Sequence, residues 1–474
     1  MYEKTGYRLK CRGKLSPKVL NDRGVNQGGC ASDILFRRYL ADVSDYLTSH
    51  SGVCLGDMIM LHLLWADDLI LVTEEIDGMQ KQLDGLAEFG KENQAIVNDT
   101  KTKIMGIGTG DEKIKVHFQG KQIEQVTAYK YVGNIMSQIN NIRGDVFSGN
   151  YPYLCNKGKS ATYAMFRKVR NLGALPPRIM IYMFDTMIKP ILMYGSDVWG
   201  VQKQGTDAVD KVFQWFLKWI LKVKTTTSTT IVYGEVGCTP LSVFCHVNVM
   251  NYYARLYNLP DSMLVKQAFN SLLSLTEQGF TTWIKKVWDL ARKYNINLHC
   301  TNYKKACFNS QCKVTIRDIY ISEWHRKLQN VEQNPIFRTY TTIKNDFDRE
   351  PYLDHVKDFR YRNAITKLRA SSHNLEVERG RHQKPKIPLC ERLCRICNMV
   401  EDEAHFLIDC EMYQETRSVF FSKVSALDPM FSSLDRGAKF TYLIKSHSPR
   451  ILVLLGKFVY SSFQERESKL KSIR

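Results

Sequence analysis

The sequence predicts an α+β protein: a mixed helix-and-strand unit over residues 1–145, followed by a mainly helical remainder that contains a small cysteine-rich segment. Three observations carry this. Residues 63–72 read Leu-Leu-Trp-Ala-Asp-Asp-Leu-Ile-Leu-Val, two strand-like apolar runs meeting at an aspartate pair. Beyond residue 150 the apolar positions recur mostly with the helical period. Near the C-terminus, three cysteines and a histidine fall at metal-ligand spacing.

In chain order, Gly28 and Gly29 form a turn after which Ser32 is placed to cap a helix. Its apolar positions Leu35, Phe36, Tyr39, Leu40, Val43, Tyr46 and Leu47 predict a packed face. The aspartate hairpin follows. Leu63, Leu64, Ile70 and Val72 are expected to fix it in a buried scaffold while Asp67 and Asp68 stay exposed at its tip. Two fixed carboxylates suit Mg²⁺, a hard cation that shares oxygen ligands between protein and phosphates. An acidic turn between ordinary strands is the plainer reading of the pair alone. Met79, Leu83, Leu86 and Gly90 mark a second amphipathic helix, and Ile114, Val116 and Phe118 alternate as in a half-buried strand. A further strand holds Tyr129 and Tyr131 and breaks at Gly133. These strands are expected to form a small sheet backing the hairpin.

Further on, Val212, Phe213, Phe216, Leu217, Ile220 and Leu221 predict one broad apolar helix face. Lys211, Lys218 and Lys222 fall on the other side as a stripe, which fits either a solvated face or a phosphate backbone. Thr225–Thr230 reads as a loop and a boundary.

The chain has 474 residues, 44% of them hydrophobic, enough for several packed cores. Its net charge of +19 is uneven: residues 1–150 carry about −1 and residues 151–474 about +20. A basic excess of this size suits a polyanionic partner. Thirteen cysteines without an N-terminal apolar leader point to a reducing, intracellular setting, nucleus or cytoplasm, rather than a disulfide scaffold. The apolar run 179–194 is broken by Asp185 and Lys189, so no membrane span is expected. Phosphate-loop, serine-elbow and His-Glu-x-x-His motifs are absent from the sequence.

Cys394, Cys397, His405 and Cys410 follow a C-x2-C-x7-H-x4-C pattern, four ligands suited to tetrahedral Zn²⁺. Four protein ligands leave no open position for water, so the expected role is structural or in RNA binding. Arg392 and Arg395 beside them fit phosphate contact, and Glu401, Asp402 and Glu403 read as an acidic patch. A looser cluster, His299, Cys300, Cys307 and Cys312, reads as buried or incidental.

The blocks Gly24-Val25-Asn26-Gln27-Gly28-Gly29, Trp65-Ala66-Asp67-Asp68, Asn98 with Lys101-Thr102, and Tyr129-Lys130-Tyr131-Val132-Gly133 occur in an order that resembles the reverse transcriptases of non-LTR (LINE-type) retrotransposons. The resemblance continues through Lys189-Pro190, Met193-Tyr194-Gly195, Trp199 and Leu375-Glu376-Val377-Glu378-Arg379-Gly380-Arg381 to the cysteine cluster. It implies a right-hand polymerase palm with Asp67 and Asp68 as catalytic Mg²⁺ ligands. Gln27 and Gly28 would then lie against template and incoming nucleotide, Lys101 beside its phosphates, and Tyr131 and Gly133 at the primer end. The implied layout is fingers and palm over 1–145, a basic thumb over 146–235, a helical connector over 236–385, a zinc knuckle over 386–415 and a tail over 416–474.

Gly29, Asp33 and Trp65 depart from residues common in that family, as subfamily variation would. The larger departure concerns the aspartate that the family carries on a strand before the Gly-Gln-Gly turn, because Met1–Cys30 offers only Glu3 and Asp22. The expectation is a chain beginning just after that motif: an RNA-directed DNA polymerase of incomplete palm that extends a DNA primer on an RNA template poorly or not at all by itself. The alternative is an inactive nucleic-acid-binding remnant of the same element. A zinc-stabilised interaction protein unrelated to nucleic acid would require the motif order to be coincidence.

Overall fold

Alternation along residues 114–118 builds the first core. Ile114, Val116 and Phe118 are buried while Lys115 and His117 between them are exposed, as a pleated segment with one covered face requires. A computed structural model describes residues 6–20, 24–25, 28–48, 51–56, 58–108, 113–139, 144–298 and 304–472. The chain divides into two units, residues 1–150 with 259–280, and residues 151–258 with 281–474.

In the first unit, helix α1 (Ser32–Tyr39) leads into a 3₁₀ turn over Ala41–Tyr46. Strands β1 (His62–Trp65) and β2 (Asp68–Leu71) make the hairpin, and α2 (Ile76–Glu92) follows. Val43, Leu83, Leu86, Phe89, Ile104 and the 114–118 face form the core, with Leu69 and Leu71 of β2 leaning on it. Burying a side chain the size of Phe89 contributes about 1.5–3 kcal/mol. Gly85 lets α2 approach the 3₁₀ turn, since a Cβ there would sit 2.0 Å from the Tyr46 carbonyl oxygen. The ribbons β3 (His117–Phe118) with β4 (Lys121–Gln122), and β5 (Ala128–Tyr131) with β6 (Asn134–Ser137), complete the part that concerns the site.

Three local expectations change. Ser32 is the first helical residue rather than the cap, Ala31 precedes it, and no side chain caps α1. The packed face begins late: Leu35 and Tyr39 are exposed, and burial is complete only at Val43 and Leu47, because α1 stops after two turns. Nor does a wider sheet back the hairpin. Among the described residues every sheet has two strands; segments of two to four residues pair with one neighbour and then turn onto the helical core instead.

The second unit is helical. It takes in α3 (Asn150–Val169) from Tyr151 onward, α4 (Lys203–Leu221), α5 (Thr229–Val236), α6 (Lys305–Gln329), α7 (Phe359–Arg369), α8 (Glu376–His382) and α9 (Pro449–Ser472). On α4, Val212, Phe213, Phe216, Leu217 and Leu221 are buried as the period requires, and Phe216 stacks on Phe184 at 4.5 Å. A polar network crosses this interior. The fully buried Arg369 guanidinium donates to Glu235 at 3.0 Å, pairs with Glu350 at 2.7 Å and donates to the Ile444 carbonyl at 2.8 Å, while Tyr352 donates to Glu235 at 2.6 Å. Removing one member of such a set strands a buried charge, typically at 3–5 kcal/mol. No described helix is long and apolar enough to cross a membrane.

Asp210 on α4 gives a pH test. Burial pushes its carboxyl up to about 6, against the Ser242 N–H that it accepts at 3.0 Å. The folded state thus holds the proton more tightly than the unfolded one. Stability falls as pH rises from the unfolded carboxyl value of 3.8 through about 6. Asp210→Asn keeps an acceptor oxygen without the charge. Its stabilising effect in thermal unfolding should grow between pH 4 and 6 and level off above, at on the order of 1–3 kcal/mol. No gain at pH 8, or a gain that shrinks with rising pH, would contradict this.

Candidate functional site

The aspartate hairpin closes on a two-residue turn. Trp65 pairs with Asp68, Leu64 with Leu69, Leu63 with Ile70 and His62 with Leu71, leaving Ala66 and Asp67 as the turn. Ala66 has φ 54°, in the left-handed region where a Cβ costs about 1–2 kcal/mol. Both carboxylates are exposed, as expected, and Trp65 beside them is 65% exposed. The supporting scaffold is one-sided: Leu69 and Leu71 grip the core, whereas Leu63 is 36% exposed.

The ribbon β5–β6 turns through Val132 and Gly133, both at positive φ (43° and 83°), the left-handed pair that a tight right-twisted hairpin demands. A β-branched Val is seldom found there. Buried Asn150 holds the ribbon, accepting from Ile135 N–H at 3.0 Å and donating to Asn134 Oδ1 at 3.1 Å; no sequence signal marked this residue. Tyr131 lies within the field of the hairpin, for burial and then the Asp68 charge push its hydroxyl up. Asn98 organises the turn before Lys101, its side chain accepting from Lys101 N–H at 3.1 Å, and Tyr129 donates to the Lys101 carbonyl at 3.4 Å. The structure thereby places the Lys101 backbone against Tyr129 of β5. Gly28 has φ 82°, and Gln27, like Glu3 and Asp22, lies outside the described residues. Among the described residues, no third acid, His or Cys joins Asp67 and Asp68 in a metal-binding group.

The lysines of α4 differ from one another. Lys211 is exposed. Lys218 donates to the Thr225 carbonyl at 2.6 Å, and Lys222 ends the helix at φ 53° with its ammonium 3.7 Å from the centre of the Trp219 ring. Trp219 in turn stacks on Phe166 at 3.6 Å. Burial lowers the pKa of both Lys218 and Lys222.

The cysteine cluster is assembled as its spacing suggests. Asn398 at φ 51° turns the chain, with Cys394 N–H donating to the Met399 carbonyl at 2.7 Å and Leu393 bridged to Val400. A following helical turn, His405–Asp409, presents the histidine and leads to Cys410. One ligand atom from each of Cys394, Cys397, His405 and Cys410 lies within 4.8 Å of all the others. The Cys410 sulfur is 3.8 Å from that of Cys394 and 3.7 Å from that of Cys397. A tetrahedron with zinc–sulfur distances of about 2.3 Å has sulfur–sulfur edges of about 3.8 Å, which these match. Both ring nitrogens of His405 are buried without a hydrogen bond, a costly state that a metal ligand relieves. The residues therefore fit zinc. Of the second cluster, Cys307 is exposed and Cys312 buried; His299 and Cys300 lie outside the described residues.

The surroundings of the cluster overturn two expectations. Glu401 and Glu403 form no acidic patch: they are 2% and 1% exposed. Glu401 accepts both forks of the Arg466 guanidinium, at 2.9 and 2.6 Å, and the Glu376 N–H at 2.7 Å. Glu403 accepts from Arg338 at 2.9 Å and Thr339 at 2.8 Å, with His373 at 3.1 Å. Nor is Arg392 turned outward. It donates to the carbonyls of Ile387 and Val377 at 2.9 and 2.8 Å, because backbone acceptors left by the 377–387 segment need a donor there. Arg395 is 40% exposed, 3.9 Å from Glu376.

Comparison with known proteins agrees with the first unit. Residues 3–136 match the family model described as reverse transcriptase (RNA-dependent DNA polymerase). The chain is also 25% identical over 156 residues to an uncharacterised transposon-derived protein of Caenorhabditis elegans, a match covering 32% of this chain and 52% of that protein. It thus spans about half the length of that relative.

Metal analysis tests the cluster in the full chain. One zinc per chain is expected, and Cys397→Ser or His405→Ala should lose it. Because Arg466 ties α9 to Glu401, chelation should also speed amide exchange across 449–470. Unchanged zinc in both variants would remove the assignment.

Proposed function

We propose that the chain is the reverse transcriptase of a non-LTR (LINE-type) retroelement, an RNA-directed DNA polymerase acting on an RNA template, a DNA primer and deoxynucleoside triphosphates. The observation that carries this is the reverse transcriptase match over 3–136, with the exposed Asp67–Asp68 pair inside it and Tyr131 in the field of Asp68. In this reading residues 1–145 supply fingers and palm, 146–235 the thumb, 236–385 the connector, 386–415 the zinc segment and 416–474 the tail.

Mg²⁺, when bound, would neutralise charge on the triphosphate and make the primer 3′-hydroxyl more acidic. Asp67 and Asp68 are the ligands this chain offers it. Exposure leaves both carboxylates open to an ion that phosphate oxygens would share, and Leu69 and Leu71 anchor the strand that follows them. Lys101 would meet the triphosphate with a compact positive charge. Gln27 and Gly28 would border the template, and the Tyr131–Gly133 turn would hold the primer end. Lys211, Lys218 and Lys222 would follow the phosphate backbone. Zn²⁺ on Cys394, Cys397, His405 and Cys410 would be structural, since a closed ligand set has no position for substrate.

A second reading keeps the nucleic-acid binding without the polymerisation. It is favoured by the two-carboxylate hairpin, which finds no third acidic ligand among the described residues. Mg²⁺ demands near-octahedral geometry, and a displacement of about 1 Å in the reacting groups costs on the order of a hundredfold in rate.

Primer extension on an RNA template separates the two. The expected outcome for residues 1–474 is slow, Mg²⁺-dependent extension that Asp67→Ala and Asp68→Ala each abolish while leaving oligonucleotide binding intact. Binding without any extension would select the second reading. Loss of neither extension nor binding in the aspartate variants would refute the hairpin as the metal site.

A further inference from the structure

The second unit has an open cleft of about 450 Å³ between the threonine-rich loop leading into α5 and the C-terminal end of α6. Its polar lining residues are Ser228, Thr230, Asn330, Asn334 and the cations Arg326 and Lys327, and no acidic residue lines it. Buried Phe337 contributes an apolar wall. Among the described residues, neither Arg326 nor Lys327 has an ion-pair or hydrogen-bond partner. Both are exposed. No side chain caps the N-terminus of α5, so its first-turn N–H groups add to the donors on that side. The loop is held in place from behind: Lys224 N–H donates to Ser372 Oγ at 2.8 Å, Thr227 and Ser372 share a hydrogen bond at 3.2 Å, and the Thr230 carbonyl accepts from Trp324 at 2.8 Å.

We infer that this cleft seats one nucleotide of a single-stranded nucleic acid, its phosphate between Arg326, Lys327 and the start of α5, its base against Asn334. The inference rests on the reading above that the second unit binds nucleic acid, and gives that binding a place. Cations free of carboxylates bind phosphate without first breaking an ion pair. Asn330 exchanges both amide atoms with Gln333, at 2.8 and 3.4 Å, and Asn334 donates to the Asn330 carbonyl at 3.4 Å, which leaves the Asn334 carboxamide oxygen to accept from a base amino group. A volume of this size is in the range of small-ligand sites and exceeds what a bare phosphate fills. A single strand can turn one nucleotide into such a recess, whereas a paired duplex keeps its bases stacked inside.

The experiment measures binding of a labelled single-stranded oligoribonucleotide to the full chain across a salt series. Arg326→Ala with Lys327→Ala should weaken binding on the order of tenfold and reduce the salt slope by about 0.7–1.4, one to two phosphate contacts. The matched control is Lys313→Ala with Arg317→Ala, the same charge loss on exposed positions about 15 Å back along α6, which should have a clearly smaller effect. Asn334→Asp removes no cation but puts a carboxylate into the cleft, and should weaken binding at least as much as the double cleft variant. A duplex of the same sequence should not respond to the cleft variants.

Equal losses in cleft and control variants would overturn the inference in favour of a diffuse basic field, as would an unaffected Asn334→Asp. If the cleft double variant melts lower but binds as before, Arg326 and Lys327 serve only the C-terminal dipole of α6, and the inference fails. A duplex that binds as tightly and responds equally would also overturn it. Competition by a free nucleoside monophosphate alone, with no oligonucleotide effect, would replace the strand by a small nucleotide. Absence of oligonucleotide binding by the unaltered chain would overturn both this inference and the reading on which it rests.

Discussion

Two buried glutamates, Glu401 and Glu403, set the terms for the second unit. An ionised carboxylate out of water is stable only when paired and hydrogen-bonded, so each must have its partners in place whenever the chain is folded. Those partners are far apart in sequence: Arg338 and Thr339, His373, the Glu376 N–H and Arg466. The segment from 392 to 410 is therefore keyed to three other stretches of chain rather than hung from them. Metal bound at the cysteine cluster would therefore be coupled to folding of the unit. The cysteines hold the turn that puts Glu401 on Arg392 O and Val377 N, and the glutamates hold that turn against α9.

The first unit shows a different economy. Its strands are too short and too singly paired to form a stiff sheet, and the candidate residues sit at the tips of two-stranded ribbons. At both tips a residue with a Cβ occupies left-handed backbone, Ala66 beside Asp67 and Val132 beside Tyr131. Such conformations persist only where the flanks over-determine them. Here the flanks are the Leu69–Leu71 grip on one ribbon and the buried Asn150 amide on the other. The strain is local, the anchors are side-chain contacts with the core, and the candidate site takes its position from both.

Local patterns explain which parts were legible in the sequence. The Ile114–Phe118 alternation, the α4 face, the hairpin at Asp67–Asp68 and the cysteine spacing all rest on contacts with near neighbours, or on a ligand set whose spacing is itself the signal. The failures share one cause. Glu401 and Glu403 read as surface charge because nothing near them in sequence predicts Arg466, 65 positions away. Arg392 read as a phosphate contact because its acceptors are carbonyls, which composition does not show. Strand-like segments suggest a sheet behind the hairpin, but pairing depends on strand length and on what covers each face. Asn150 gave no signal because a single buried amide looks like any other helix-start residue.

The position of Lys218 and Lys222 shows why charge counts alone say little about a nucleic-acid surface. A lysine whose ammonium is bonded to a carbonyl, or set on an aromatic face, surrenders part of what a phosphate would offer it. Counterion release rewards a contact only by the surplus over what the free protein already has. By that measure the cations that matter are those with nothing to give up. Arg326 and Lys327 meet the condition in a cleft lined by donors, whereas Arg369, Arg392 and Arg466 are committed to the fold. The basic excess of residues 151–474 thus divides into charge that holds the unit together and charge left over for a partner. The two kinds are told apart by their neighbours, not by their number.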